Sequence, residues 1–170
     1  LYERTCHLKG GVAYLNALFF STLATRMPDQ LLLVRAHLHG ELVAAAFCLR
    51  NANTLYGRNW GSRVEIPGLH FETCYYTPME YCIKHGIKRF EAGAQGEHKL
   101  SRGFMPAATI SRHWIAEPAF RDAILHFVRN ETQTVHEWME ELNSHTPYHD
   151  QDRTDRPITE VEKSTHVLRD

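Results

Sequence analysis

The chain has 170 residues, 43% of them hydrophobic and 23% charged, and its 19 Lys and Arg against 20 Asp and Glu leave a net charge of -1. That balance excludes a disordered or collagen-like chain, and the length allows one domain with its own core but no second complete one. A pI near 6.9 gives no overall field for nucleic-acid phosphates, so a DNA partner is not expected.

The longest apolar run, Leu42 to Leu49, spans eight residues, whereas a membrane-crossing helix needs about 20. No membrane span is expected. Cys6, Cys48, Cys74 and Cys82 show no CxxC spacing and read as reduced, buried thiols, which points to a cytoplasmic location. Residue 1 is Leu, and no charged-then-apolar leader follows it. The chain is expected to be a piece of a longer protein.

Leu1 to His7 reads as the end of an element, punctuated by Gly10-Gly11. Tyr14, Leu15, Leu18, Phe19 and Leu23 then recur at helical spacing, and Pro28-Asp29 stops the pattern, so a helix is predicted from Tyr14 to Arg26. Leu31 to Leu38 and Leu42 to Leu49 are strand-length apolar runs joined by His39-Gly40, the composition of a hairpin turn. Asn51-Ala52-Asn53 turns the chain into a third strand, Thr54 to Tyr56, completing an antiparallel meander. Gly57 to His70, with three glycines and a proline, reads as a long functional loop.

Helical spacing resumes at Phe71, Tyr75, Met79 and Cys82, with Gly86 as the stop. Thr77-Pro78-Met79-Glu80 forms a capping box, so the helix either starts or kinks at Pro78. Lys88 to Ala92 is predicted as a strand, as is Ala107 to Ile115, where side chains alternate in character. Pro118 opens a last helix whose stripe runs through Phe120, Ile124, Phe127, Val135, Trp138 and Leu142. The polar residues from His145 to Asp170 read as a disordered tail. An α/β fold follows: a mixed sheet with an antiparallel meander, then helix, strand, strand and helix, an order similar to the GNAT (acyl-CoA N-acyltransferase) fold.

The densest chemistry lies between Glu91 and Phe104, where Glu97, His98, Lys99 and Arg102 are interleaved with glycines. The spacing fits neither a Walker A loop nor a dinucleotide fingerprint. It suits a polar pocket, and equally a solvated Gly-rich connection. The segment Tyr56-Gly57-Arg58-Asn59-Trp60-Gly61-Ser62-Arg63 sets two arginines beside an indole, groups that bind phosphate and stack on planar rings, or else merely face water. Glu72 can complement a helix dipole. His37 and His39 share a strand face but lack a third ligand at a recognisable spacing, so no metal is expected. Without a GxSxG elbow or a Ser-His-Asp order, a hydrolase has little support.

Several stretches together resemble the FemAB-like N-acyltransferases, bacterial relatives of the Fem peptidoglycan-bridge aminoacyltransferases in the GNAT superfamily. They are Tyr2-x-x-Thr5-x-x-Leu8-Lys9-Gly10-Gly11, Leu55-Tyr56-Gly57-Arg58-x-Trp60-Gly61, Leu69-His70-Phe71-Glu72-x-Cys74-Tyr75-Tyr76 and, most specifically, Gly93-Ala94-Gln95-Gly96-Glu97-His98-Lys99-x-x-Arg102-Gly103-Phe104. The resemblance runs from about Leu1 to Glu141. It implies that residues 1–144 are a GNAT-like domain, the C-terminal half of a two-half protein whose N-terminal half would be a partner.

The activity so implied is attack by an amine, on a small molecule, a peptide or a cell-wall precursor, on an activated acyl carbonyl. Acyl-CoA is the expected donor, with aminoacyl-tRNA as the alternative donor and a non-catalytic binding module as the alternative role. Such a reaction needs a base, oxyanion donors and cations for donor phosphates. Glu97, His98 and Lys99 are the candidate catalytic group, with Glu97 or His98 as base. Lys99 and Arg102 are candidate anion binders. Arg58, with the backbone around Trp60 and Gly61, is a candidate phosphate contact, His70 and Glu72 would position the acceptor, and Gln95 and Gly96 would complete the binding loop.

Overall fold

The computed structural model describes residues 1–93, 97–145 and 147–148, and of Glu97 only the backbone. Contacts divide the chain into two compact units, Leu1–Gln95 and Gly96–Asp170.

In the first unit, α1 (Tyr2–Leu8) and α2 (Ala17–Arg26) precede β1 (Leu31–Leu38), β2 (Glu41–Arg50) and β3 (Thr54–Ser62). A helical stretch follows, made of α3 (Leu69–Phe71), a π-helical turn (Glu72–Tyr76) and α4 (Thr77–Lys84), and then β4 (Arg89–Glu91). The strands form one sheet in the order β1-β2-β3-β4, with the first three antiparallel and β4 parallel to β3. The predicted mixed α/β sheet with its meander is therefore present.

Local chemistry explains the connections. Asn16 caps α2 by accepting the Phe19 N–H at 2.9 Å. His39 and Gly40 both take positive φ, 51° and 86°, as a two-residue turn matched to strand twist requires. The Asn51 side chain accepts the N–H groups of Asn53 and Thr54 at 2.9 and 2.8 Å, folding the chain from β2 into β3.

Side chains along β2 alternate between two covered faces. Ala44, Ala46 and Cys48 are buried on one, where Cys48 packs with Leu55, Cys82 and Ile87. Phe47 points the other way and meets Phe20 of α2 edge-on at 5.5 Å. The sheet is thus sandwiched by α1 and α2 on one side and by the α3 to α4 stretch on the other. Each fully buried aliphatic side chain in such a layer contributes about 2 kcal/mol.

Burial also sets the state of the thiols. Desolvation, with Cys82 nearby, pushes Cys48 up to about 12, and desolvation, with Cys48 nearby, pushes Cys74 up to about 12. Burial raises Cys82 too, opposed by the Arg50 guanidinium. These thiols ionise near 9.0 in the unfolded chain, so alkali favours unfolding. Their contribution to stability is complete below pH 9.0 and falls as pH rises towards about 12. Iodoacetamide at pH about 8 is expected to spare Cys48 and Cys74 in the native chain and to label both in urea; labelling of either at equal rates in the two states would contradict this burial.

The element that ends before Gly10-Gly11 is helix α1, too short to display a period. Two expectations need correction. The strand predicted to end at Tyr56 runs on to Ser62, so the first six residues of the predicted loop are strand. Ala107 to Ile115 forms no strand. Its side chains are exposed up to Trp114, and alternation without a partner strand supplies no ladder to hold the extended form. After the meander, the described order is accordingly helix, strand and helix.

The α-helix α4 starts at Thr77 with Pro78 in its first turn, as the first of the two alternatives has it. The π-helical turn lies immediately before it and widens the backbone where the ring would meet the Cys74 carbonyl.

In the second unit, a 3₁₀ helix (Glu97–Arg102) is followed by α5 (Pro118–Ser144). Glu117 caps α5 by accepting the Ala119 and Phe120 N–H groups. No described residue of α5 is buried. The predicted tail lies almost wholly outside the described residues, and no described helix is long and apolar enough to cross a membrane.

Candidate functional site

The site in the first unit is built by an irregularity in β3. Cys48 pairs with Gly57 and Phe47 with Asn59, so Arg58 is one extra residue facing a single residue of β2. Such a bulge re-aims whatever follows it. With uninterrupted pairing, Trp60 would stand opposite Ala45 and share the face of Phe47. The bulge instead sets Trp60 opposite Ala46 and Gly61 opposite Ala45. Trp60 therefore faces the α3 side and Gly61 the α1 side. Arg58 itself is exposed.

Both glycines flanking this bend have close neighbours. A Cβ on Gly57 would lie 3.4 Å from the Glu91 carbonyl oxygen, at the end of β4. On Gly61 it would lie 2.7 Å from the carbonyl carbon of Leu1 and 2.8 Å from the Leu1 oxygen and Cβ. Glycine at position 61 is what lets the start of α1 rest on β3.

An aromatic cluster surrounds His70. Its ring meets Trp60 at 5.2 Å, Tyr75 at 5.4 Å and Phe71 at 5.5 Å, each steeply inclined, while Phe71 and Tyr75 stack at 6.0 Å. Such pairs contribute about 0.5–1.5 kcal/mol beyond their buried area. Glu72 is exposed, and one of its carboxylate oxygens accepts the Thr77 hydroxyl at 2.9 Å across the π-helical turn.

Two cavities meet at Trp60. One, of about 490 Å³, runs beneath α2 along Leu31, Leu33, Ala45 and Phe47 and ends at Leu1, Tyr2 and Gly61; its lining is carbon almost throughout. Desolvation, with the Cys6 thiol beside it, raises the Tyr2 hydroxyl above the ordinary phenol value. The other cavity, of about 600 Å³, lies between α1 and the chain leaving β3. It gathers Arg4, Lys9 and Arg63 with a single acid, Glu65, and reaches His70. Volumes of this order suit small-molecule ligands.

The predicted residues thus fall into two groups. Trp60, Gly61 and His70 come together around the cavities, with Arg58 and Glu72 exposed on the same unit. His98, Lys99 and Arg102 belong to the second unit, Gln95 and Gly96 lie outside the described residues, and Glu97 is placed by its backbone alone.

The 3₁₀ helix of the second unit is tied internally. Arg102 Nη1 donates to the His98 carbonyl at 2.6 Å and to Ser101 Oγ at 3.1 Å, and Ser101 Oγ donates to the same carbonyl at 2.9 Å. Gly103 ends the helix with φ 84° and its carbonyl accepts the Tyr148 hydroxyl at 2.9 Å. Desolvation lowers the Lys99 amine from its ordinary value. Among the described residues no three His, Cys, Asp or Glu side chains cluster closely enough to hold a metal ion.

Sequence reasoning missed Arg4 and Lys9. α1 is too short for its spacing to single them out, and only its packing against β3 brings them to the cavity.

No curated protein and no solved structure matches the chain. The FemAB-like family, described as peptidoglycan biosynthesis/recognition, matches over residues 1–150. By that match, which spans both units and takes in every residue singled out above, the chain belongs to the FemAB-like family.

Proposed function

We propose that the chain is an N-acyltransferase domain of GNAT type, which moves an acyl group from an activated donor, acyl-CoA, to the amine of a peptide or cell-wall precursor. Family membership over residues 1–150 carries this reading, since the family's description is peptidoglycan biosynthesis/recognition and building that polymer involves transfer to amines. The bulged strand that carries Trp60 and Gly61 supports it, because bulges recur beside active sites, where they redirect side chains. Residues 1–144 form the catalytic domain as the second half of a two-half protein, and the reaction takes place in the cytoplasm, the compartment that keeps thiols reduced.

In this reading Glu97 or His98 removes the proton from the attacking ammonium, and Lys99 and Arg102 bind anionic groups. Arg58 contacts donor phosphate, Gln95 and Gly96 belong to the substrate-binding loop, and His70 or Glu72 orients the acceptor. Replacing Glu97 or His98 by Ala in the complete protein is expected to slow amide formation at least about 100-fold for whichever is the base. The product is followed by mass spectrometry with acyl-CoA and an amine acceptor. If both variants stay within threefold of wild type, neither residue is the base. Turnover with aminoacyl-tRNA and with no acyl-CoA would move the donor to tRNA, and saturable binding without turnover would leave a recognition module.

A further inference from the structure

We propose that the two cavities meeting at Trp60 form one binding site for an acyl donor with a medium or long chain and a phosphate-bearing head. The apolar trough beneath α2 has an almost wholly carbon lining, and a group placed there gains only by leaving water. The neighbouring cavity has the opposite character, with Arg4, Lys9 and Arg63 against Glu65. Two guanidinium forks and an ammonium around one volume match a doubly charged phosphate better than a carboxylate. Trp60 and the first residues of the chain border both cavities, Leu1 and Tyr2 the trough and Arg4 and Lys9 its neighbour, and in this proposal a single molecule spans them at that shared edge, its chain in the trough and its head among the cations. An acetyl or aminoacyl group would leave the trough unfilled. The inference rests on the acyl-transfer reading for the ligand's role, while its test reads binding alone.

The probes are alkyl phosphates of four to twelve carbons, kept below their micelle concentrations and titrated calorimetrically into the 170-residue chain. Each added methylene is expected to tighten binding about fourfold until the trough is full, and each phosphate is expected to bind more tightly than the carboxylate of equal length. Ala24→Phe, an exposed α2 position on the trough, is expected to flatten the chain-length dependence. Ser21→Phe, likewise exposed on the trough, provides a second variant with the same expectation. Lys9→Gln combined with Arg63→Gln, both exposed positions, is expected to weaken every member of the series at least tenfold with the slope unchanged.

Affinity independent of chain length, a slope unaltered in both α2 variants, or wild-type binding by the Lys9 and Arg63 double variant would each overturn the proposal. So would carboxylates binding as tightly as phosphates. Binding with these features but no amide formation would instead count against the transferase reading. Amide formation from short acyl donors with a flat alkyl series would count against the long chain alone.

Discussion

Trp60→Ala is expected to destabilise the protein by about 3 kcal/mol, the lower end of the range for truncating a packed aromatic because the ring is only half-buried. The substitution removes the edge contact with His70 at 5.2 Å. Trp60→Phe, which keeps a ring edge for His70, is expected to lose less than half as much. Urea denaturation of the two variants beside wild type measures the difference. A change within about 0.5 kcal/mol for Trp60→Ala, as at an ordinary surface position, would mean that the indole is not packed against its neighbours.

Gly61→Val is expected to cost about 1–3 kcal/mol by overpacking. The incoming Cβ would need the space held by the Leu1 carbonyl carbon at 2.7 Å, and backbone cannot swing aside as a side-chain tip can. The expected response is that α1 lifts from β3. Because α1 carries Tyr2 to the trough and Arg4 and Lys9 to the cationic cavity, both compartments lose a wall. Hydrogen exchange reads this directly: the amides of Thr5 and Lys9, which donate to the Leu1 and Thr5 carbonyls at 3.1 and 3.3 Å, should exchange faster, while those of β1 and β2 keep their protection. Unchanged protection in α1 would show that the contact is relieved in some other way.

The same two glycines show why part of the fold was legible in the sequence and part was not. The β1–β2 hairpin was readable because its determinants are local: two apolar runs and a turn pair whose backbone signs suit the strand twist. The helix before Gly86 was readable from its period, and α5 from Pro118 and its stripe. Gly57 and Gly61, by contrast, look like loop residues in a sequence, since the usual reason for glycine is a turn. Here each sits within a strand because another piece of backbone approaches, Glu91 in one case and Leu1 in the other. That reason is tertiary and leaves no trace in the neighbouring residues. The segment from Ala107 to Ile115 fails in the opposite direction, having the alternation of a strand and no strand beside it.

The candidate site divides along similar lines. Trp60, Gly61 and His70 were identified because they cluster in short, distinctive stretches. Arg4 and Lys9 lie more than fifty residues from Trp60, and only the seating of α1 on β3 makes them its neighbours. The placement of Trp60 depended on parity: one uncounted residue at Arg58 reverses every later assignment of faces along that strand, and periodicity alone does not reveal a bulge.

The widened turn from Glu72 to Tyr76 makes the middle helical stretch asymmetric in its tolerance of length change. A π-helical turn already accommodates one more residue than the α-helix it interrupts. Excising a residue there would return the stretch to ordinary pitch and drive the Pro78 ring against the carbonyl of the turn before it. It would also rotate Thr77 away from Glu72 and carry His70 about a quarter of a turn round the helix axis relative to Cys82. An extra residue beyond Gly86 would only lengthen a surface connection, at a small entropic cost. In this stretch, then, natural variants and engineered libraries should accept insertions after the helix far more readily than deletions within it.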